Sequence, residues 1–224
     1  NYLMVEVKPN WHDSTEILGY YSNISQSYQH TKFVKFLVKA MMFPNVPFFV
    51  CLDEMNLAPV EQYFAEFLSV IESRKSNGNG TVITDPILKK STEDWYRVLT
   101  AELTGENEAL RNQFLEEGIT IPQNLIVVGT VNMDETTFPF SKKVLDRANT
   151  IEFSFVDLMA KPSVNSEALP KALNEENSFL KTEYLYLNDV NDENVVTTTC
   201  FELEQLNQIL LKANLHVGYR VRDE

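Results

Sequence analysis

Apolar and polar positions divide the chain into short runs of two periods. Tyr2-Leu3-Met4-Val5-Glu6-Val7 alternates and predicts a strand over 2–7. From Pro9 to Gly19 the chain reads as a loop, with a helix start at Asp13-Ser14-Thr15-Glu16. Phe33, Phe36, Leu37 and Ala40 recur at helical spacing and predict a helix over 31–43, ended by Pro44 and Pro47. Val46 to Leu52 is a nearly unbroken apolar run, which suits a parallel strand covered on both faces. Residues 57–73 read as one helix, with Val60, Phe64, Phe67, Leu68 and Ile71 on one side.

Ser76-Asn77-Gly78-Asn79-Gly80 marks a turn, and Thr81 to Ile87 reads as one arm of a hairpin. Residues 92–116 are amphipathic and helical, broken near Gly105. Pro122 leads into a second buried strand, Leu125-Ile126-Val127-Val128-Gly129-Thr130-Val131. A short helix around 141–147 and a strand at 150–155 follow. Strands alternating with helices argue for an α/β fold with a parallel sheet, spanning residues 1–155. Residues 161–199 are polar and unpatterned, so 156–224 reads as a linker into a smaller helical unit. Its helix at 201–213 gathers Leu203, Leu206, Ile209 and Leu210 on one side.

Composition narrows the function classes. With 44% hydrophobic and 11% aromatic residues, the 224-residue chain has material for a real core. No apolar run reaches membrane-span length, and the N-terminus has neither the basic region nor the cleavage site of a signal peptide. It also lacks an initiator Met, as a fragment of a longer chain would. A net charge of −13 argues against bulk attraction to nucleic-acid backbone, and no basic patch exceeds Lys89-Lys90 or Lys142-Lys143. Cys51 and Cys200 form no CxxC pattern and read as two reduced, buried thiols of a cytoplasmic protein. His12, His30 and His216 are scattered and suggest no metal site or triad.

Four places carry candidate chemistry. Asp53-Glu54 ends an apolar strand, where open α/β sheets bind ligands. Asp53 there suits a hydrated Mg²⁺ and Glu54 suits polarising a water; two solvated surface acids is the plain alternative. Asn132 ends the second buried strand and either orients water or phosphate or merely begins a turn. Arg147 closes a short helix, as an arginine finger or in an ion pair with Asp146 or Glu152. Arg220 and Arg222 either reach a γ-phosphate or form a solvated basic face.

Taken together these segments are more specific than singly. Leu52-Asp53-Glu54-Met55-Asn56-Leu57-Ala58, followed by Val60-Glu61-Gln62-Tyr63-Phe64, resembles the Walker B segment of McrB-like AAA+ proteins. Gly129-Thr130-Val131-Asn132-Met133-Asp134-Glu135-Thr136-Thr137 is similar to their sensor 1 segment. Phe140 to Ala148 resembles the arginine-finger stretch, and Gly218 to Glu224 the sensor 2 approach to the lid. The four occur in the family's order; residues 75–122 and 156–199 match least. The wider relatives are the MoxR-like AAA+ proteins.

The resemblance implies an AAA+ core with the start of a small helical lid, in the subunit of a hexameric ring that hydrolyses ATP or GTP with Mg²⁺. In McrB-like proteins such a motor works with an McrC-like nuclease in restriction of modified DNA, and DNA would be met through other parts of the parent. A MoxR-type remodeller of proteins is the alternative, and an inactive assembly scaffold a third. By position, Asp53 would bind Mg²⁺, Glu54 would be the catalytic acid and Asn132 sensor 1. Arg147 would be the finger in trans, and Asn56, Arg220 and Arg222 would serve nucleotide binding. Glu135 stands where the McrB signature has Asp, so the base stays open between ATP and GTP. No G-x-x-x-x-G-K-[ST] occurs; the resemblance puts that phosphate loop upstream of residue 1, on a strand between those at 125–131 and 150–155. The chain alone is therefore expected to bind nucleotide poorly.

Overall fold

The structure, a computed structural model, describes residues 1–78, 81–132, 137–151 and 192–212. Strand β1 (Tyr2–Glu6) opens the chain, as its alternation predicts. Helix α1 (Thr15–Leu18) is a single turn, begun where Asp13 Oδ1 accepts the Thr15 amide at 2.8 Å. The next element has no counterpart in the sequence expectation: a hairpin of β2 (Gly19–Ser22) and β3 (Ser27–His30). Gly19 is required at its base, since a Cβ there would sit 2.0 Å from the Gln29 carbonyl oxygen. Helix α2 (Lys32–Met42) starts at Thr31, whose hydroxyl accepts the Val34 amide at 3.3 Å.

Strand β4 (Phe48–Asp53) follows the Pro44–Pro47 turn. Past it, the single helix expected over 57–73 is three pieces. A 3₁₀ turn covers Met55–Leu57, α3 spans Val60–Tyr63 and α4 spans Ala65–Glu72. Pro59 sets the start of α3, and Phe64 lies off helical geometry at ψ 10°. Backbone bonds from Phe64 to Val60 and from Leu68 to Phe64 run through the junction, so it is a kink. Strands β5 (Lys75–Ser76) and β6 (Val82–Ile83) form a small hairpin. The amphipathic stretch splits at Gly105 into α5 (Asp94–Thr104) and α6 (Glu108–Glu117). Strand β7 (Leu125–Gly129), α7 (Lys142–Leu145) and α8 (Glu193–Leu211) complete the order.

The fold is α/β. A three-stranded parallel sheet in the order β1-β4-β7 is flanked by helices. Register places Leu3, Val50 and Val127 in line, and Val5 beside Leu52. These residues point into the core with Phe33, Leu37, Phe67 and Phe64. The opposite face of the sheet differs from the sequence expectation. Tyr2, Met4, Phe49 and Val128 are exposed there, so among the described residues the helices cover one face only. Asn124, which precedes β7, is buried and donates its amide to three carbonyls: Ala40 at 3.0 Å, Phe43 at 2.9 Å and Val46 at 2.7 Å. It closes the end of α2 and fixes the turn into β4, whose Phe48 amide bonds the Asn124 carbonyl at 2.9 Å.

Helix α5 docks on the unforeseen hairpin, and α6 packs on α5. Trp95 stacks on Tyr28 with centroids 5.4 Å apart, and His30 Nε2 meets Glu102 Oε1 at 2.9 Å. Helix α8 begins inside the stretch expected to be linker, because Asp192 Oδ1 accepts the Asn194 and Val195 amides at 3.0 and 3.2 Å. Of the two cysteines, both free, Cys51 is buried but Cys200 only half-buried, which corrects the expectation of two buried thiols. Most of the strand expected at 150–155, the linker through 191, and Arg220 and Arg222 lie outside the described residues. Among those described, no helix is long and apolar enough to cross a membrane.

Candidate functional site

The parallel strands deliver Glu6, Asp53 and the Gly129-Thr130 step to one end of the sheet. Asp53 is the last residue of β4 and half-buried; its carbonyl accepts the Val7 amide at 3.1 Å. Glu54 then turns out of the sheet into left-handed backbone, φ 50° and ψ 50°. A residue with a Cβ adopts that geometry at a cost of roughly 1–2 kcal/mol. The bend points Asp53 and Glu54 in different directions from one strand end, and Glu54 is exposed to solvent.

Thr130 holds this bend. Its hydroxyl donates to Asp53 Oδ1 at 2.7 Å and accepts the Glu54 amide at 2.8 Å. Its carbonyl accepts the Met55 amide at 2.8 Å, and its own amide reaches the Leu52 carbonyl at 3.0 Å. One residue therefore bonds every position from Leu52 to Met55. Gly129 leaves room for the Met55 side chain: a Cβ there would lie 2.5 Å from Met55 Sδ. Asn132 stands two residues on, and its amide donates to Glu54 Oε1 at 3.3 Å. The expected neighbourhood of Asp53, Glu54 and Asn132 is thus present.

Asn56 is placed otherwise than the resemblance implies. It is 1% exposed, and its amide donates inward to the Asn132 carbonyl at 2.9 Å and the Phe138 carbonyl at 3.4 Å. Its own carbonyl accepts the Phe138 amide at 2.9 Å, while Thr137 Oγ1 donates to the Asn132 carbonyl at 2.8 Å. Asn56 ties the segment after β7 to the turn after β4. Tyr63 secures the same turn by donating to the Met55 carbonyl at 2.9 Å, and its burial raises the phenol above its ordinary range.

Arg147 is held within the chain by an ion pair. Its side chain is 6% exposed and pairs with Glu72 of α4, and it donates to the Lys143 carbonyl as well; Glu152 lies outside the described residues. Thr130, Thr137 and Tyr63 are the functional-end residues that sequence reasoning left without a role. The signal available for Thr130 was a hydroxyl immediately after an apolar strand whose neighbour ends in two acids.

The arrangement has one half-buried carboxylate with a fixed orientation, one exposed carboxylate beside it, and an amide on the second. Among the described residues no group of three or more His, Cys, Asp or Glu is built to hold a metal alone. A single oriented carboxylate does suit Mg²⁺, which takes one or two protein oxygens and completes its shell with water and phosphate. A separate cleft of about 360 Å³ lies beside β1, lined by Glu6, Lys8, Trp11, Glu16, Thr31 and Lys32 among others, and none of Asp53, Glu54, Thr130 or Asn132 lines it. Comparison of the chain with protein-family models, with curated proteins and with solved structures gave no match.

Proposed function

We propose that the chain is the hydrolytic part of an AAA+ nucleoside-triphosphatase of McrB-like type, working with Mg²⁺ on ATP or GTP. The observation that carries the reading is the Asp53-Glu54 pair at the carboxyl end of β4, with the Asn132 amide 3.3 Å from Glu54. Ligands of open α/β sheets bind at that end of the strands. A magnesium ion there would neutralise charge on the phosphates. Asp53, its second oxygen left for the metal or a metal-bound water, would hold it. Glu54 would take the proton of the attacking water, and Asn132 would keep the Glu54 carboxylate turned toward that water.

The phosphate-holding half belongs, in this reading, to a segment upstream in a longer parent. The exposed apolar side chains on the open face of the sheet, and the absence of any strand beyond β7 among the described residues, are what a core awaiting further elements would present. Arg147 would act across a subunit boundary only after leaving Glu72. Hexameric assembly, an McrC-like nuclease partner and a role in restriction are further parts of the proposal. With a net charge of −13, this part of the motor would leave DNA contact to others. The test is nucleotide binding and turnover. The 224-residue chain should show no micromolar binding of ATP or GTP, while a polypeptide including the upstream phosphate loop should hydrolyse one of them with Mg²⁺. Micromolar binding by the chain alone, or no hydrolysis by the longer polypeptide, overturns the reading.

A further inference from the structure

Thr130 is an exposed residue that makes four hydrogen bonds to one four-residue segment. Two of them share a single oxygen. Thr130 Oγ1 donates to Asp53 Oδ1 at 2.7 Å and accepts the Glu54 amide at 2.8 Å. Hydrogen bonds in such a chain polarise one another, so the donor's strength depends on what the acceptor carboxylate is doing. The Glu54 amide matters because Glu54 occupies left-handed backbone, which an unsupported side-chain-bearing residue disfavours. Whatever holds that amide sets where the Glu54 carboxylate points.

We infer that Thr130 is a positioning residue that couples cation occupancy at Asp53 to the aim of Glu54. The inference rests on the proposal that Asp53 takes a divalent cation, and adds how the second carboxylate learns of it. A cation on Asp53 fixes the carboxylate. The fixed carboxylate holds the Thr130 hydroxyl in one rotamer, with its lone pair on the Glu54 amide. Without the cation, Asp53 and the Thr130 hydroxyl rotate more freely and the Glu54 bend loosens. The base would then be aligned only when the metal, and with it the substrate, is in place.

The test uses the chain, MgCl₂ alone as probe, and two variants. Thr130→Val keeps the shape and removes the hydroxyl; Thr130→Ser keeps the hydroxyl. Amide hydrogen exchange at Glu54 and the Asp53 side-chain carboxyl resonance are followed by NMR, with Val50 in the middle of β4 as the folding reference. Losing one such bond should speed Glu54 exchange about fivefold in Thr130→Val with Val50 unchanged, and Thr130→Ser should restore protection. Mg²⁺ should slow Glu54 exchange in the wild type and in Thr130→Ser but not in Thr130→Val. Unchanged Glu54 exchange in Thr130→Val, or a Mg²⁺ response that survives the substitution, overturns the coupling. If Mg²⁺ moves the Asp53 resonance without touching the wild-type Glu54 amide, the coupling alone falls. If it leaves the Asp53 resonance unmoved, the cation reading falls and takes the coupling with it.

Discussion

Replacing Asn56 distinguishes a nucleotide ligand from an internal tie. Its amide makes one good bond, 2.9 Å to the Asn132 carbonyl, and one long bond, 3.4 Å to the Phe138 carbonyl. At the usual 0.5–1.5 kcal/mol for each these would contribute about 1–3, and the long second bond puts the pair in the lower half of that range. Against this stands Asn56 Oδ1, buried without a partner, whose desolvation costs roughly 1–3 kcal/mol and disappears with the side chain. Asn56→Ala therefore loses little net: about 1 kcal/mol once the small cavity is included. Asn56→Asp differs in sign at every contact. It puts an acceptor-only carboxylate against two carbonyl oxygens in a site 1% exposed, which should cost about 3 kcal/mol or more. For a chain of this size each kcal/mol moves the Tm by about 2–4 °C. Thermal unfolding followed by circular dichroism should rank wild type, Asn56→Ala and Asn56→Asp in that order, with the last gap the larger. Acidification should narrow the gap, since a protonated Asp regains a donor. An Asn56→Asp protein as stable as wild type would refute the burial argument. A loss of nucleotide affinity with no change in stability would restore Asn56 as a ligand.

Two further outcomes follow from the same geometry. Asn124→Ala removes three bonds to carbonyls at the end of α2 and in the turn that follows, two of them only part-buried, and should lower stability by about 1–3 kcal/mol, read by urea unfolding. Burial pushes the Tyr28 and Tyr96 phenols up to about 12 from 10.0, so the folded state holds those protons more tightly than the unfolded chain. Their contribution is intact below pH 10 and is lost as pH rises toward 12, so the Tm should fall steadily across that window. Phenolate absorbance should show these two ionising late, together with Tyr63; a Tm flat over the window would contradict this.

The parallel strands were legible because their apolar runs are bounded by Pro and by charge. Val46 to Leu52 and Leu125 to Val131 both stand out in this way, and the acids at the end of the first run mark the candidate site. The hairpin of β2 and β3 was not, since its turn has no Asn-Gly or Asp-Gly pair and puts Gln26 at φ 48° instead. The start of α8 hid in a polar stretch whose one cue was the Asp192 cap. Covering of the sheet on both faces was expected from β4 alone; among the described residues helices cover one face, and Phe49 on the other is exposed. Roles set by contacts between distant positions could not be read locally. Asn56 meets a carbonyl 76 positions away, and Arg147 pairs with Glu72 of a distant helix. Proximity of Asn132 to Glu54 was inferable only by assuming that the two apolar strands are neighbours, which they are.

Glu54→Gln in the longer parent polypeptide tests the central claim most directly. The substitution keeps the size of the side chain and leaves an oxygen for the Asn132 amide, but removes the carboxylate that would take the proton from water. ATP and GTP turnover and nucleotide affinity would be measured side by side. Turnover should fall by about 10²-fold or more with affinity unchanged. Wild-type turnover in Glu54→Gln would contradict it.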